Sequence, residues 1–514
     1  MARPLRFVNG RQNVTCGGRM NKDHPLFTRC VHTLERVTRS ITSIPESKPV
    51  FLSIVFSLWL ATYVHPAAFL MLGYLLYVCR NSAGDFQFPG WLALIVATAP
   101  LTLLFVLEST LPPDDALRHA VAHRFGFDYN QVYLEMEWMP RQSMWVGYEW
   151  ILGRLESAFG LSAALQTMRM VMAGLFIATT YLAFKKILPR QDQQNAVFLL
   201  LIVALSLAIG RLYLARPEFL AMTWALSAFV LPWRTWVCIG LCIQPGYYFA
   251  FLYTPAIVLL DTNWRNRIVA ACIIFVGSSL FWLAYAGTDW LKFIQASFEW
   301  LSMREGVQVL ENLSVTKYLD AYTGLAAAIC VIVGYGRNWG RYAGLLAFSA
   351  FFLLPNQARY IPTLAIPLVF IVAMILDEQG KARLSIAFTI ISAVFFTHIT
   401  GRMVFDYANA SSMPDFKLIP HNSKVLAMPD QSMYWLVATR YQDLKIAPAM
   451  EFGVNRRETK LLSKQLQGNE PVDCQMLARS PYQYVISSRL FRPSPCLRYV
   501  ETSKAWQLWQ VMRP

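Results

Sequence analysis

Residues 111–126 read LPPDDALRHAVAHRFG, and four of their side chains are of kinds that carry out chemistry. Asp114 and Asp115 are adjacent carboxylates, the group that takes a proton from a hydroxyl as a general base. His119 and His123 follow Asp115 at one and two further helical repeats, which would stack the three on one face, where a divalent metal could be held. Neutral packing histidines are commoner than ligands and no further strong ligand is specified nearby. The sequence therefore assigns no metal, although a divalent metal is a cofactor that His119 and His123 could serve. The stretch also suits a plain helix start, with Pro and Asp ahead of a helix-forming run.

Other ionisable side chains fall at the ends of apolar runs. Arg169 lies near the start of one. In GRLYLARPEFLA, Arg211, Arg216 and Glu218 occupy a short turn between two of them, and in PNQARYIPTLAIP, Arg359 and Tyr360 sit at another end. Ionisable groups at a membrane edge are costly to hold there and are functional candidates by default. Taken singly, an arginine at a helix end is a snorkelling anchor, and Arg211 reads as one. Taken together, two carboxylates and several arginines suit a general base opposite an anionic leaving group.

The elements that must carry these residues are membrane helices. The chain has 514 residues, 55% hydrophobic and 15% charged, against about 25% charged in a soluble protein. Apolar segments run at about 50–79, 90–110, 166–184, 195–210, 217–233, 236–260, 268–286, 318–336, 342–356, 361–376 and 384–400. The net charge of +15 follows from basic loops on the cytoplasmic side, since no basic–aromatic nucleic-acid module is present. Residues 1–48 are polar and basic without an apolar signal core, and read as a cytoplasmic tail. Placing every basic cluster inside works only if segments 50–79 and 236–260 each cross an even number of times. Each carries a central proline (Pro66, Pro245) that would break it into two short helices. About 11 to 13 membrane helices over residues 49–400 result, with loops 111–165 and 288–317 and residues 401–514 on the outer face.

Beyond Gly401 the texture changes. SKVLAM, YQYVISS and AWQLWQVM read as strands and RRETKLLSKQLQG as a helix, predicting a small α/β domain. Of nine cysteines, only Cys474 and Cys496 lie there, a pair placed where a disulfide persists; two independent thiols are the alternative. Loop 127–151 is rich in tyrosine and tryptophan, either an interfacial belt or a stacking surface, and GYEWILGRLESAFG reads as an amphipathic helix along the membrane surface.

PDDALRHA, QSMWVGYEWILGRLESAFG, LQTMRMVMAGL, ARPE, IQPGYYFAFLYTP and ARYIPTLAIP occur in an order and spacing that resemble the GT-C superfamily of membrane glycosyltransferases, over roughly residues 90–370. The likeness is to the protein mannosyltransferase and aminoarabinose transferase branch. It departs from that pattern at Gln142-Ser143-Met144 and Gln244, where the family carries lysines that approach donor phosphate, and at Glu218 as the second acid. The resemblance implies an all-α polytopic membrane domain followed by a small extracytoplasmic α/β domain. It implies a polyprenyl-phosphate-linked sugar as donor and a glycan, lipid or protein as acceptor, with transfer on the outer face of a bacterial cytoplasmic membrane. Asp114 or Asp115 would be the base in an inverting displacement, with Asp114 favoured by the family pattern. Arg169, Arg216 and Arg359, with Tyr360, would bind donor phosphate, and Glu218 would orient the acceptor or an arginine. Two rival readings are an O-antigen ligase or polymerase, which places its chemistry late in the chain, and a non-enzymatic lipid-linked glycan flippase, which predicts paired interrupted helices in symmetric halves.

Overall fold

The computed structural model describes residues 115–134, 142–190, 194–302, 336–353, 360–379, 416–427, 442–447, 456–467, 471–488, 494–503 and 506–513, with a few isolated positions between them. Asp114, Arg359, the basic tail and the apolar segments 50–79, 90–110 and 384–400 lie outside the described residues.

A short helix α1 (Ala116–Val121) opens the described chain, followed by a 3-10 turn over Ala122–Phe125. Helix α2 (Val146–Phe159) and helix α3 (Leu161–Ile187) are separated by Gly160 alone, at φ +82° and ψ +164°, a conformation that only glycine adopts at ease. Then come α4 (Gln194–Tyr213) and α5 (Pro217–Ser227), whose first residue is a proline, preset for helix and lacking the N–H that a first turn leaves unbonded. Helix α6 (Trp233–Ile243), α7 (Trp264–Ala286), α8 (Asp289–Ser302), α9 (Trp339–Phe351) and α10 (Ile361–Gln379) complete the helical part. Among the described residues, Leu161–Ile187, Trp264–Ala286 and Ile361–Glu378 are long and apolar enough to cross a membrane. The apolar side chains of α7, including Phe275 and Leu280, are largely exposed, the arrangement expected of a helix facing lipid.

Segment 236–260 breaks where its proline stands. Helix α6 ends at Ile243, Gln244–Gly246 makes a single 3-10 turn, and Ala250–Leu259 continues as a 3-10 stretch. The break lies beneath α2, because a Cβ on Gly147 would come within 3.0 Å of Pro245. Both outer ends of the segment return to the far end of α3, where Lys186 donates to the carbonyl of Phe229 at 3.1 Å and to Asp261 at 3.2 Å. The segment therefore doubles back on itself, with the residues that flank it brought together at Lys186. Two expectations differ. The predicted loop 288–317 begins with the 14-residue helix α8, because Trp290, Phe293 and Ser297 recur at helical spacing and are buried, with Phe293 against Trp145 and Tyr248. The predicted segment 217–233 is helical only to Ser227, where Ala228 closes the last turn through backbone bonds ahead of Pro232.

The C-terminal part holds a five-stranded sheet of order β2-β1-β3-β5-β4: β1 (Ser423–Ala427), β2 (Leu444–Ala447), β3 (Tyr484–Ser488), β4 (Leu497–Ser503) and β5 (Trp506–Val511). The β2-β1-β3 half is parallel and the β3-β5-β4 half antiparallel. Helices α11 (Arg457–Gln467) and α12 (Cys474–Arg479) contribute Leu462, Leu466 and Leu477 to a core with Leu426, Val485 and Trp509. Cys474 and Cys496 are joined by a disulfide with Cα atoms 5.6 Å apart, tying α12 to the start of β4. The sheet does not stand apart from the helices. Backbone bonds from Leu134 to the Ile446 carbonyl (2.9 Å) and from Ile446 to the Val132 carbonyl (3.0 Å) lay residues 132–134 parallel to β2 at the edge of the sheet.

Candidate active site

The acidic loop, α2 and the turn before α5 meet in one buried cluster. Asp115 occupies the residue before α1 but does not cap it: its backbone is helical and its carboxylate makes no cap bond. The carboxylate instead accepts from Arg118 Nε and, at 2.9 Å, from Arg216 Nη1, which arrives from the turn after α4. Burial pushes the Asp115 carboxyl up, but the guanidinium of Arg118, aided by His119 and then Arg216, holds it well below the usual carboxylate range. Asp115 is thus an anion clamped by two cations at the head of the loop.

Arg118 is fully buried and sits at the centre of the cluster. Beyond Asp115 it donates to the Tyr129 hydroxyl at 2.7 Å, reaches Glu149 Oε1 at 3.4 Å and lies 3.2 Å from His119 Nε2. Its guanidinium stacks over Trp145, 4.4 Å from the ring centre. Glu149, on α2, accepts at one oxygen from Tyr129 and lies 2.7 Å from His119 Nδ1. Its second oxygen is buried without a hydrogen-bond partner. Burial, with Glu149 adding to it, pushes the Tyr129 hydroxyl well above its ordinary range, so Tyr129 is a neutral donor here.

The remaining sequence candidates gather around Tyr148. Its hydroxyl donates to the Ala215 carbonyl in the turn before α5, where Ala215 holds φ at +47°. Glu218, Arg216, Asp115 and Arg169 all act electrostatically on that hydroxyl, which burial and Glu218 push above its ordinary range. Arg169 is buried on α3. Tyr360 is buried and reaches Tyr247 and Tyr253, which Glu218 also reaches, at the edge of the same region.

Several expectations change. Asp115, His119 and His123 do not share a face, because α1 ends at Val121 and the tighter 3-10 turn rotates His123 away. His123 lies instead at 3.3 Å from Glu156 and 3.2 Å from Ser157, on the far part of α2. Among the described residues, no group of three or more His, Cys, Asp or Glu side chains is arranged to hold a metal. Asp115, His119 and Glu149 do converge, yet the Arg118 guanidinium touches all three and supplies the positive charge that a metal would bring. Arg211 is no anchor reaching for the interface: it is buried and pairs with Glu218 at 3.4 Å. The surface helix α2 is inside-out for a soluble one, with Trp150, Ile151 and Phe159 at 53%, 47% and 64% exposure and Glu149 and Glu156 buried. The reason is that Arg118 and His119 receive Glu149, while Arg124 and His123 receive Glu156. Arg118, Tyr129 and Glu149 were not legible as site residues, although two glutamates seven apart on one face of an interfacial helix signal buried charge partners.

Neither a family model nor a curated protein matches the sequence. Solved structures do match. The chain superposes on ArnT from Cupriavidus metallidurans, solved bound to undecaprenyl phosphate, with a TM-score of 0.50 and 12% identity over 82% of this chain and 98% of that one. The apo form of the same protein gives a TM-score of 0.38 at 14% identity. The mycobacterial arabinofuranosyltransferase AftD gives 0.41 at 13% identity, over 84% of this chain and 42% of that longer one. The chain therefore shares its fold with ArnT.

Proposed function

We propose that the chain is an integral membrane glycosyltransferase that moves a sugar from a polyprenyl-phosphate donor to a hydroxyl of a glycan, lipid or protein. The observation that carries this reading is the 2.9 Å pairing of Asp115 with Arg216, which draws a basic turn onto the acidic pair across 101 residues of sequence. Transfer of this kind needs a carboxylate to receive the acceptor proton and cations to receive the departing phosphate, close together and away from bulk water. Asp114 and Asp115 supply the base. Arg169, Arg216 and Arg359, with Tyr360, hold the donor phosphate, and Glu218 orients Arg211. Direct displacement at the anomeric carbon inverts its configuration. The base is already ionised at neutral pH, so its contribution is proximity to the hydroxyl. The fold shared with a protein solved with undecaprenyl phosphate supports the lipid-linked donor, and the disulfide fits an oxidising outer compartment.

The test is to delete the gene, identify by mass spectrometry the glycan or glycolipid that disappears, and restore it with Asp114→Asn and Asp115→Asn. The expected result is normal membrane insertion with product reduced about 10²-fold or more by at least one of the two. Full product from both variants overturns the assignment and favours a transporter.

A further inference from the structure

The two guanidiniums that clamp Asp115 differ in how firmly they are held. Arg118 has no exposed side-chain surface and is fixed by Tyr129 at 2.7 Å, by Glu149 at 3.4 Å and by the Trp145 ring. Arg216 comes from the turn between α4 and α5, and its side chain is 12% exposed, as open as the 11% of Asp115 itself. Between them they engage both carboxylate oxygens. Arg118 Nε donates to Oδ1, and Arg216 Nη1 donates to Oδ2 at 2.9 Å. The wholly buried His119 also approaches Oδ2, at 3.4 Å. Since Arg118 and His119 are enclosed, Arg216 is the member of the clamp that an incoming ligand can reach. The pair also sets two proposed roles against each other: the cation that is to bind donor phosphate is engaged by the carboxylate that is to take the proton.

Resting on the glycosyltransferase reading above, we propose that the Asp115–Arg216 pair is a gate worked by the donor: it covers the base while the donor is absent and opens when the donor phosphate takes Arg216. A phosphate met also by Arg169 and Arg359 is a better partner for Arg216 than a carboxylate already shared with Arg118, and arginine suits it by presenting a planar fork of donors. Asp115 tolerates the loss because Arg118 stays with Oδ1. Oδ2 is then uncovered on the side from which Arg216 came. The acceptor hydroxyl gives its proton to that half of the acidic pair as its oxygen bonds the anomeric carbon. The electrons of the breaking carbon–oxygen bond leave with the phosphate, and Arg216 is already in place to meet the added charge. Once the product phosphate departs and the carboxyl has lost its proton to water, the pair closes again. Donor therefore binds before acceptor, and the closed pair weakens donor binding by the fraction of time it is shut.

A double-mutant cycle on binding, read without turnover, tests the gate. Full-length protein in nanodiscs of zwitterionic lipid is titrated with undecaprenyl phosphate and followed by tryptophan fluorescence, for the native chain, Asp115→Asn, Arg216→Gln and the double variant. Asp115→Asn, which ends transfer in the reading above, is expected to bind about 10-fold more tightly because Arg216 is released. Arg216→Gln is expected to bind about 10-fold more weakly, and the double variant to match it. Binding by Asp115→Asn that is no tighter than native overturns the gate. So does a gain that persists in full in the double variant, since it would then come from removing a negative charge and not from freeing Arg216. If the native chain binds and Arg216→Gln weakens it while Asp115→Asn does not tighten it, the gate fails and the transferase reading stands. If none of the four binds, both fail. Should Asp115→Asn not fold, hydrogen–deuterium exchange of the native protein decides instead. Adding undecaprenyl phosphate is expected to speed exchange over residues 116–126 relative to β5, because Asp115 loses one of its two clamping arginines. Unchanged or slowed exchange there overturns the proposal.

Discussion

Replacing Asp115 by Asn tests the clamp at the head of the acidic loop. The carboxylate accepts from Arg118, a fully buried guanidinium, and from Arg216 at 2.9 Å. Asparagine keeps one oxygen and turns an amide toward at least one of these cations. Breaking one partner out of a buried ion pair costs about 3–5 kcal/mol. The Asp115 side chain is 11% exposed, which argues for the lower end, about 3 kcal/mol. Each ~1.4 kcal/mol is a factor of ten, so opening of α1 becomes about 10²-fold more frequent. Hydrogen–deuterium exchange of the full protein in nanodiscs, read on peptides covering residues 116–126, measures this directly, with β5 as an internal control. Acceleration within about threefold of the native protein would refute the claim that Asp115 organises the loop. The sign of the pH dependence is fixed as well. The folded pKa lies below the ordinary value, so the stabilisation is complete above about pH 4 to 5 and lost as the pH falls through the folded value. The gap between native protein and Asp115→Asn should therefore hold constant from pH 5 upward and close in stronger acid.

Three further outcomes follow from the packing. A Cβ at residue 240 would stand 2.4 Å from Trp224 Cζ2, within an indole pair stacked at 4.6 Å, so Gly240→Ala should cost about 1–3 kcal/mol in detergent thermal unfolding; an unchanged midpoint counts against the packing described. Cys474→Ser removes a cross-link spanning 22 residues and should destabilise the C-terminal sheet by about 3 kcal/mol, seen as faster proteolysis within residues 456–503 and no change in α3. Ile446→Pro deletes the N–H that bonds the Val132 carbonyl, and should raise exchange over residues 132–134 more than over β5.

The helical part was legible because its signals are local. Pro245 marks a break that the structure places between Ile243 and Ala250, and the Arg216–Pro217 step marks the start of a helix. Strands β1, β3 and β5 announced themselves by β-prone runs, whereas β2 and β4, LKIA and LRYVETS, carry charges that blur the alternation. The site was legible in its residue types but not in its pairings. Arg211 looked solitary in sequence because its partner Glu218 is reached only by folding the turn back. Glu149 hid inside an interfacial helix whose apolar residues, by soluble-protein rules, should have faced inward. In a membrane the rule inverts wherever buried cations wait on the protein side.

The short parallel pairing of residues 132–134 with β2 joins positions 314 apart in the chain at its Gln131–Lys445 contact. Synthesis therefore delivers the acidic loop long before its last neighbour exists. Every helix between them must insert, and the C-terminal strands must emerge, before that edge can close. Such long-range contacts are the slow ones to form. The acidic loop is completed by the final fifth of the chain, so a truncated or stalled copy, however well inserted, lacks the bracing of the segment that follows Asp115.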